Sequence, residues 1–191
     1  SEPIADPIRR LDCCPGTDGA AALVLTTGDI ARQYGSPAIK IRASAFVSGP
    51  PRVTDYTDIT THDGTVEAAR RAYESAGVSP SEIELAELHD CFSIAEIVDS
   101  EDLGLFAKGE GAVAAEQGWS RHGGRVVINP SGGLLSKGHP VGATGCGQIY
   151  EVARQLRGDH PNQVPGARIG LTHNAGGTAA AVTVHILERV S

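Results

Sequence analysis

An α/β fold, with helices layered on a mixed sheet, is what this sequence predicts, and three observations predict it. Apolar strand-like runs alternate with helical patterns from residue 38 to residue 156. Two strand patterns then follow one another at the end of the chain, over 168–171 and 179–187. No linker-like shift in composition and no short repeat divides the 191 residues, so one domain carries the pattern. A chain of this length buries one good core, and 40% apolar with 20% charged residues is a globular composition.

Residues 1–18 are polar and turn-rich, with Pro3, Pro7 and Pro15, and read as a lead-in crossing a surface. The run AAALVLTT at 20–27, edged by Gly19, reads as a buried strand. A short helix over 29–34 is closed by Gly35. Over 38–48, Ile39, Ile41 and Ala43 alternate before Phe46 changes face, which predicts a strand with a bend or bulge.

After a Pro- and Thr-rich loop, Asp63 caps a helix over 64–76 that ends at Gly77. Its inward stripe is Val66, Ala69, Tyr73 and Ala76. A strand at 85–88 delivers His89, Asp90, Cys91 and Phe92, and a helix over 93–99 carries Ile94, Ile97 and Val98. Helical turns surround Leu103, Leu105 and Phe106, and a strand follows over 123–128. The helix at 142–156 turns Cys146, Ile149, Ala153 and Leu156 inward. A surface loop at 158–166 precedes the last two strands, which join through 172–177. In the second of them Val182, Val184 and Ile186 share one face, with Thr183 and His185 on the other.

Net charge is −7 with both signs dispersed, so nucleic acid is not an expected partner. No apolar run is long enough for a membrane span, and the start carries no signal-peptide pattern. Cys13 and Cys14 are adjacent, Cys91 and Cys146 stand alone, and no CxxC spacing suggests a metal site. A reducing, cytoplasmic setting fits free thiols best. The chain opens at Ser1-Glu2-Pro3 and contains no methionine, as a processed or fragmentary product does, or one whose initiator has been removed.

Reactive side chains fall at three loops: His89-Asp90-Cys91, His139, and His173-Asn174. Strand ends of α/β folds are where ligands collect. The stretch NPSGGLLSKGHPVGATGCG from Asn129 to Gly147 describes a shaped loop, because proline fixes one dihedral and glycine frees both. Two readings of His139 stand open there, a placed imidazole for proton transfer or a tight connection whose ring faces water. Cys91, at a strand end and helix start, is a candidate for a lowered thiol pKa or a small buried hydrophobe. His89, His173 and Asn174 are candidate donors to a developing oxyanion, or satisfied core and rim groups.

Together these motifs resemble the thiolase superfamily. HDCF at 89–92, NPSGG at 129–133, GHPVGATG at 138–145 and HNAGG at 173–177 occur in family order. LDCCPGTDGAAA at 11–22 is similar to the segment preceding the C-terminal thiolase domain, and the flavour is that of the sterol-carrier-protein-type thiolases. The resemblance implies a layered thiolase-like fold with helices on both faces of the sheet. It divides the chain into a lead-in at 1–18, continuing from a preceding region, and a C-terminal thiolase domain at 19–191.

The activity implied is acyl exchange on coenzyme A thioesters, by thiolysis or Claisen condensation of a 3-oxoacyl-CoA, with no cofactor. His139 then activates a nucleophilic cysteine and contributes to an oxyanion hole, Cys91 serves as acid/base, and His89 takes a position where many thiolases carry Asn. His173 and Asn174 are auxiliary, and Cys14, Ser131 and Gly132 fall where the family binds the CoA arm. The usual C-terminal CxG cysteine is replaced here, with His173 near its place, which fits transfer of the acid/base role to Cys91.

The nucleophilic cysteine of the family belongs to its N-terminal half, so the resemblance implies that this chain is completed by such a half or by a partner subunit in a homo- or hetero-oligomer. It also implies an apolar patch that this half leaves exposed. Two other readings stand beside it. One is a thiolase-like retro-aldolase of sterol side-chain breakdown, a group that pairs with small zinc-ribbon/OB-fold proteins. The other is a non-catalytic acyl-CoA-binding or scaffold subunit.

Overall fold

Two short strands, β1 (Pro3–Ala5) and β2 (Ile8–Arg9), open the chain as an antiparallel ribbon. The computed structural model describes residues 1–34 and 37–190; Gly35, expected to close the first helix, and Ser191 lie outside the described residues. The main sheet comprises β3 (Ile39–Ser48), β4 (Leu85–Glu87), β5 (Val127–Ile128), β6 (Ile169–Gly176) and β7 (Ala181–Arg189). Its order is β3-β7-β6-β4-β5. β5, β4 and β6 run parallel, whereas β7 is antiparallel to both β6 and β3, so the sheet is mixed as expected.

Helices α2 (Asp63–Ala76) and α6 (Thr144–Arg157) cover the two faces. On the α2 side Ala68 and Ala72 pack with Leu171, Val182, Val184 and Ile186. On the α6 side Val152 and Leu156 meet Leu85, Val127 and Leu187. The shared face of Val182, Val184 and Ile186 is fully buried, as the alternation predicts. The expected bulge in β3 is present as a register shift between Ile41 and Ala43. Gly170 lets α6 approach β6 closely, since a Cβ there would sit 2.6 Å from Val152 Cγ1.

Several expectations are overturned. Residues 20–27 form no strand: Ala21 and Leu23 are partly covered, but Val24 is 94% and Leu25 72% exposed, so much of this apolar run is uncovered. The short helix expected over 29–34, by contrast, is present as α1 (Gly28–Ala31) continued by a 3₁₀ turn over Arg32–Tyr34. The inward face of α2 keeps the predicted Ala69 and Ala76, with Tyr73 partly buried, but also takes in Thr65, Ala68 and Ala72 and leaves Val66 exposed. Small residues win on that face because they bring the helix close to the sheet; Gly64 lies against Val182 and Gly49.

In α6 the buried positions are Gln148, Val152, Gln155 and Leu156, and Cys146 is exposed. A hydropathy stripe passes over the glutamines, yet each is hydrogen-bonded inside: Gln148 donates to His173 O at 2.9 Å and Gln155 to Asn162 O at 2.8 Å.

Helix α3 (Ser93–Asp102) inverts expectation most. It buries Asp99, Ser100 and Asp102, while Ile94 is exposed and Ile97 and Val98 are only half-buried. A helix α4 (Gly111–Gln117) follows, and a short α5 (Gly133–Lys137) occupies what the sequence presents as loop. β6 extends through His173 to Gly176, placing His173 and Asn174 within a strand instead of the connection, and β7 begins only at Ala181.

Candidate active site at the ends of the parallel strands

The parallel register places Glu87 beside Thr172 and Ala86 beside Ile128, so the exits of β4, β5 and β6 lie at one edge of the sheet. From that edge β4 delivers His89 to Phe92, β5 leads through Asn129 and α5 to His139, and β6 presents Asn174. The lead-in closes over them. Cys13 bridges Phe92, Gly16 bridges His139, and Cys14 N–H donates to Cys91 O at 2.9 Å.

Two carboxylates hold the loop that carries His139. Glu87, fully buried, accepts Ser131 Oγ–H at 2.6 Å and Ser131 N–H at 3.0 Å. Asp90 accepts Leu134 N–H at 2.6 Å, at the first turn of α5. Gly133 has φ +59°, and a Cβ there would lie 2.2 Å from Asp90 Oδ2, so glycine is required at this approach. Burial pushes both carboxyls up, Glu87 to about 7 and Asp90 to about 6. Ser131, expected at the CoA arm, thus has its hydroxyl engaged inside the protein. Gly132 is the left-handed cap of α5.

His139 and His89 stand edge to face, with ring centroids 4.9 Å apart. Their hydrogen bonds settle opposite tautomers. Thr144 Oγ–H donates to Pro140 O at 3.1 Å and therefore accepts from His139 Nδ1 at 2.7 Å, which leaves the His139 Nε2 lone pair free. Gln148 Nε2 donates to His173 O, so its Oε1 accepts one Asn174 amide hydrogen at 3.0 Å. The other Asn174 hydrogen goes to His89 Nδ1 at 3.1 Å, leaving His89 Nε2 as an N–H donor. Burial, aided by His173 and His139, pulls His89 down to about 4, and burial also lowers His139. One neutral base and one neutral donor thus lie side by side.

Cys91 is half-buried, and its thiol is pushed up to about 11 by burial first, then by Cys14, Asp99 and Asp90. The lowered thiol pKa that its place before a helix suggests is therefore corrected: desolvation and three neighbouring acidic groups outweigh the helix terminus. Cys14 is half-buried and raised by burial as well. His173 also departs from expectation. It lies on the opposite face of β6 from Asn174, fully buried against Thr65, so it offers no donor to the site. Thr144, Gln148 and Glu87 belong to the site and were not singled out by sequence. The one available signal was Thr144, five residues after the histidine it orients.

An α/β sheet with imidazole and thiol groups gathered at its parallel strand ends, under a crossing lead-in, is a thiolase-like architecture. Residues 47–189 match the family described as thiolase C-terminal domain-like, and the chain belongs to that family. It is 51% identical over 187 residues to an acetyl-CoA acetyltransferase of Methanothermobacter thermautotrophicus, covering 97% of this chain and 49% of that protein. It is 46% identical over 192 residues to sterol carrier protein 2 of Oryctolagus cuniculus, covering 97% of this chain and 35% of that one. Among solved structures, an Ltp2-ChsH2(DUF35) aldolase superposes with a TM-score of 0.87 at 26% identity, covering 99% of this chain and 49% of that chain. The chain thus spans about half the length, or less, of the relatives it matches. No helix among the described residues is long and apolar enough to cross a membrane.

Proposed function

We propose that this chain supplies the proton-transfer half of an acyl-CoA C-acyltransferase site, acting on a 3-oxoacyl-CoA by thiolysis or the reverse Claisen condensation. The observation that carries this reading is the pairing of a His139 Nε2 lone pair with a His89 N–H beside it. In thiolysis a cysteine of the companion N-terminal half gives its proton to His139 and attacks the 3-oxo carbon. The C2–C3 bond then breaks and the acyl group stays on that cysteine. The electron pair left on C2 takes a proton from Cys91, whose raised pKa keeps it a thiol at neutral pH. Cys91 thiolate removes the proton of incoming CoA, which attacks the acyl-enzyme; the bond to the companion cysteine breaks, and that sulfur takes its proton back from His139. His89 donates to the developing oxyanion. CoA thioesters are substrates here, and the cycle consumes no cofactor.

The companion half is supported by what stands exposed around the site. Phe92 beside Cys91, Ile94 on α3, Val141 beside the His139 loop, and Val24 and Leu25 of the lead-in are all uncovered. Gly19 meanwhile packs against Pro140, which ties the lead-in to the same rim. An apolar surface of this kind is one that a partner or second half covers. The test is co-purification with intact mass, seeking a chain that bears the nucleophilic cysteine, followed by a thiolysis assay of the complete assembly. Cys91→Ala and His139→Ala should each slow CoA-dependent cleavage by about 10²–10⁴-fold; thiolysis at the unaltered rate by Cys91→Ala overturns its role.

The likeness to an aldolase assembly favours a second reading, retro-aldol cleavage of a CoA thioester, with a small partner protein of the kind the name of that assembly includes. Product analysis separates the two. Thiolysis consumes free CoA, whereas retro-aldol cleavage releases an aldehyde or ketone.

A further inference from the structure

On the other face of β6 from Asn174, a second polar cluster adjoins the acyl-transfer site without sharing its residues. His62, at the N-terminus of α2, places Nδ1 2.8 Å from Asp99 Oδ1, and the ligand atoms of His62, Asp99 and Asp102 lie within 4.8 Å of one another. The side chains of Asp99 and Asp102 are each only 2% exposed. His173 Nδ1 points into the cluster 3.8 Å from Asp99 Oδ2, beyond hydrogen-bond reach, on a residue that is 0% exposed. Among the described residues it is the one buried side-chain nitrogen or oxygen without a partner. An orphaned imidazole nitrogen this deep is costly, and it faces a carboxylate.

The charge balance points the same way. Three carboxylates, Asp99, Glu101 and Asp102, surround Lys108, which lies 2.8 Å from Asp102 and 3.7 Å from Glu101 and keeps 44% of its side chain in water. Lys108 also donates to Thr60 O, so a single part-exposed cation partly neutralises an acidic pocket. His62 is 29% exposed on the same side, which opens a route from solvent.

We infer that His62, Asp99, Asp102 and His173 form a binding site for a divalent first-row transition ion of the zinc type. Two imidazole nitrogens with two carboxylates suit such an ion, whereas calcium and magnesium prefer all-oxygen sets. Ligands about 2 Å from a metal lie closer together than the 4.8 Å span of the His62, Asp99 and Asp102 atoms. These three therefore draw in by about an ångström on loading, and the 3.8 Å gap between His173 Nδ1 and Asp99 closes with them. The partly exposed His62 and Lys108 supply that movement: Lys108 swings toward water and frees Asp102 Oδ1, Asp102 Oδ2 keeps the His62 backbone N–H, and His62 gives up its Nδ1 proton. The ion ties α2, α3 and β6 together behind the acyl-transfer face, and loading is read without reference to that chemistry.

The experiment uses the protein as purified, with any companion chain it carries, stripped with chelator and titrated with Co²⁺ and then Zn²⁺. One Co²⁺ per chain should bind saturably, with visible d–d bands, without the charge-transfer bands of a thiolate ligand, and displaceable by Zn²⁺. His62→Ala, at a half-exposed position, and Asp99→Asn should each weaken binding by at least about tenfold, with folding of each variant checked by circular dichroism. Substituting Cys13, Cys14 and Cys146 by Ser should leave it unchanged. Absence of saturable binding, binding that survives in both His62→Ala and Asp99→Asn, equal binding of Mg²⁺, or loss on cysteine substitution would each overturn the site.

Discussion

His139 and His89 meet edge to face with ring centroids 4.9 Å apart, one presenting a bare nitrogen and the other an N–H. The difference comes from their partners. Thr144 takes the Nδ1 hydrogen of His139, and Asn174 supplies a hydrogen to Nδ1 of His89. His139→Ala is therefore expected to lower kcat/KM by about 10²–10⁴, the range for loss of a general base. His89→Asn keeps an N–H donor and should lose less. Both are measured with the nucleophile-bearing half present. Because burial holds His89 at about 4 and lowers His139, the acid limb of the rate profile should lie below pH 6.5. A limb above 6.5 contradicts the assignment.

In the proposed mechanism Asn174 acts through His89, to whose Nδ1 it donates, and not on substrate. In Asn174→Ala the His89 Nδ1 loses its donor and the ring is free to carry its proton on either nitrogen. Nitrogen NMR shifts of His89 should move from a single Nε2–H tautomer toward a mixture. The rate should fall more in kcat than in KM, since transition-state stabilisation is what depends on the donor. An unchanged His89 tautomer in this variant would remove Asn174 from the positioning role.

What the sequence made legible, and what it hid, follows from which forces are local. The mixed sheet, the β3 bulge and the faces of β7 were readable because alternation is a nearest-neighbour property of a strand. The stripes of α2 and α6 were only partly legible: Ala69, Ala76 and Leu156 are buried as read, but close approach also selects small or hydrogen-bonded residues such as Ala68 and Gln148, which hydropathy does not reward. The run at 20–27 was read as buried because its composition is apolar; its exposure depends on a neighbour, not on its own residues. In the site, His89, Cys91 and His139 were legible as motif residues. The side of β6 that His173 takes was not, since a strand's facing is set by its sheet partners. Glu87 is charged and apolar-flanked, and only the fold reveals that it grips Ser131.

Thiol reactivity gives a check on Cys91 that needs no assay of turnover. With its pKa pushed to about 11, the thiolate population at pH 7.5 is small, and the residue is half-buried behind the lead-in. Iodoacetamide should therefore modify exposed Cys146 well before Cys91. Peptide mass mapping over a time course reads the order. Preferential labelling of Cys91 would mean an activated thiolate and a nucleophilic role in place of the acid role.

Glu87 and His89 pull stability in opposite directions with pH. His89 falls from its ordinary 6.5 to about 4 on folding, so between those values the unfolded chain binds more protons. Its contribution is complete above 6.5 and is lost as pH drops toward 4. Glu87 rises from 4.5 to about 7, so the folded chain binds more protons in that window. Its contribution is complete below 4.5 and is lost as pH climbs through 7. Asp90, raised to about 6, adds to the second trend. Glu87→Gln removes one titrating group while preserving an acceptor for Ser131. The gap in unfolding free energy between wild type and variant should therefore change by about 2 kcal/mol between pH 5 and pH 8, with the variant gaining relative to wild type at the alkaline end. Urea unfolding at several pH values measures it. A gap that stays constant across that range would show that Glu87 does not titrate there and that its grip on the His139 loop is independent of protonation.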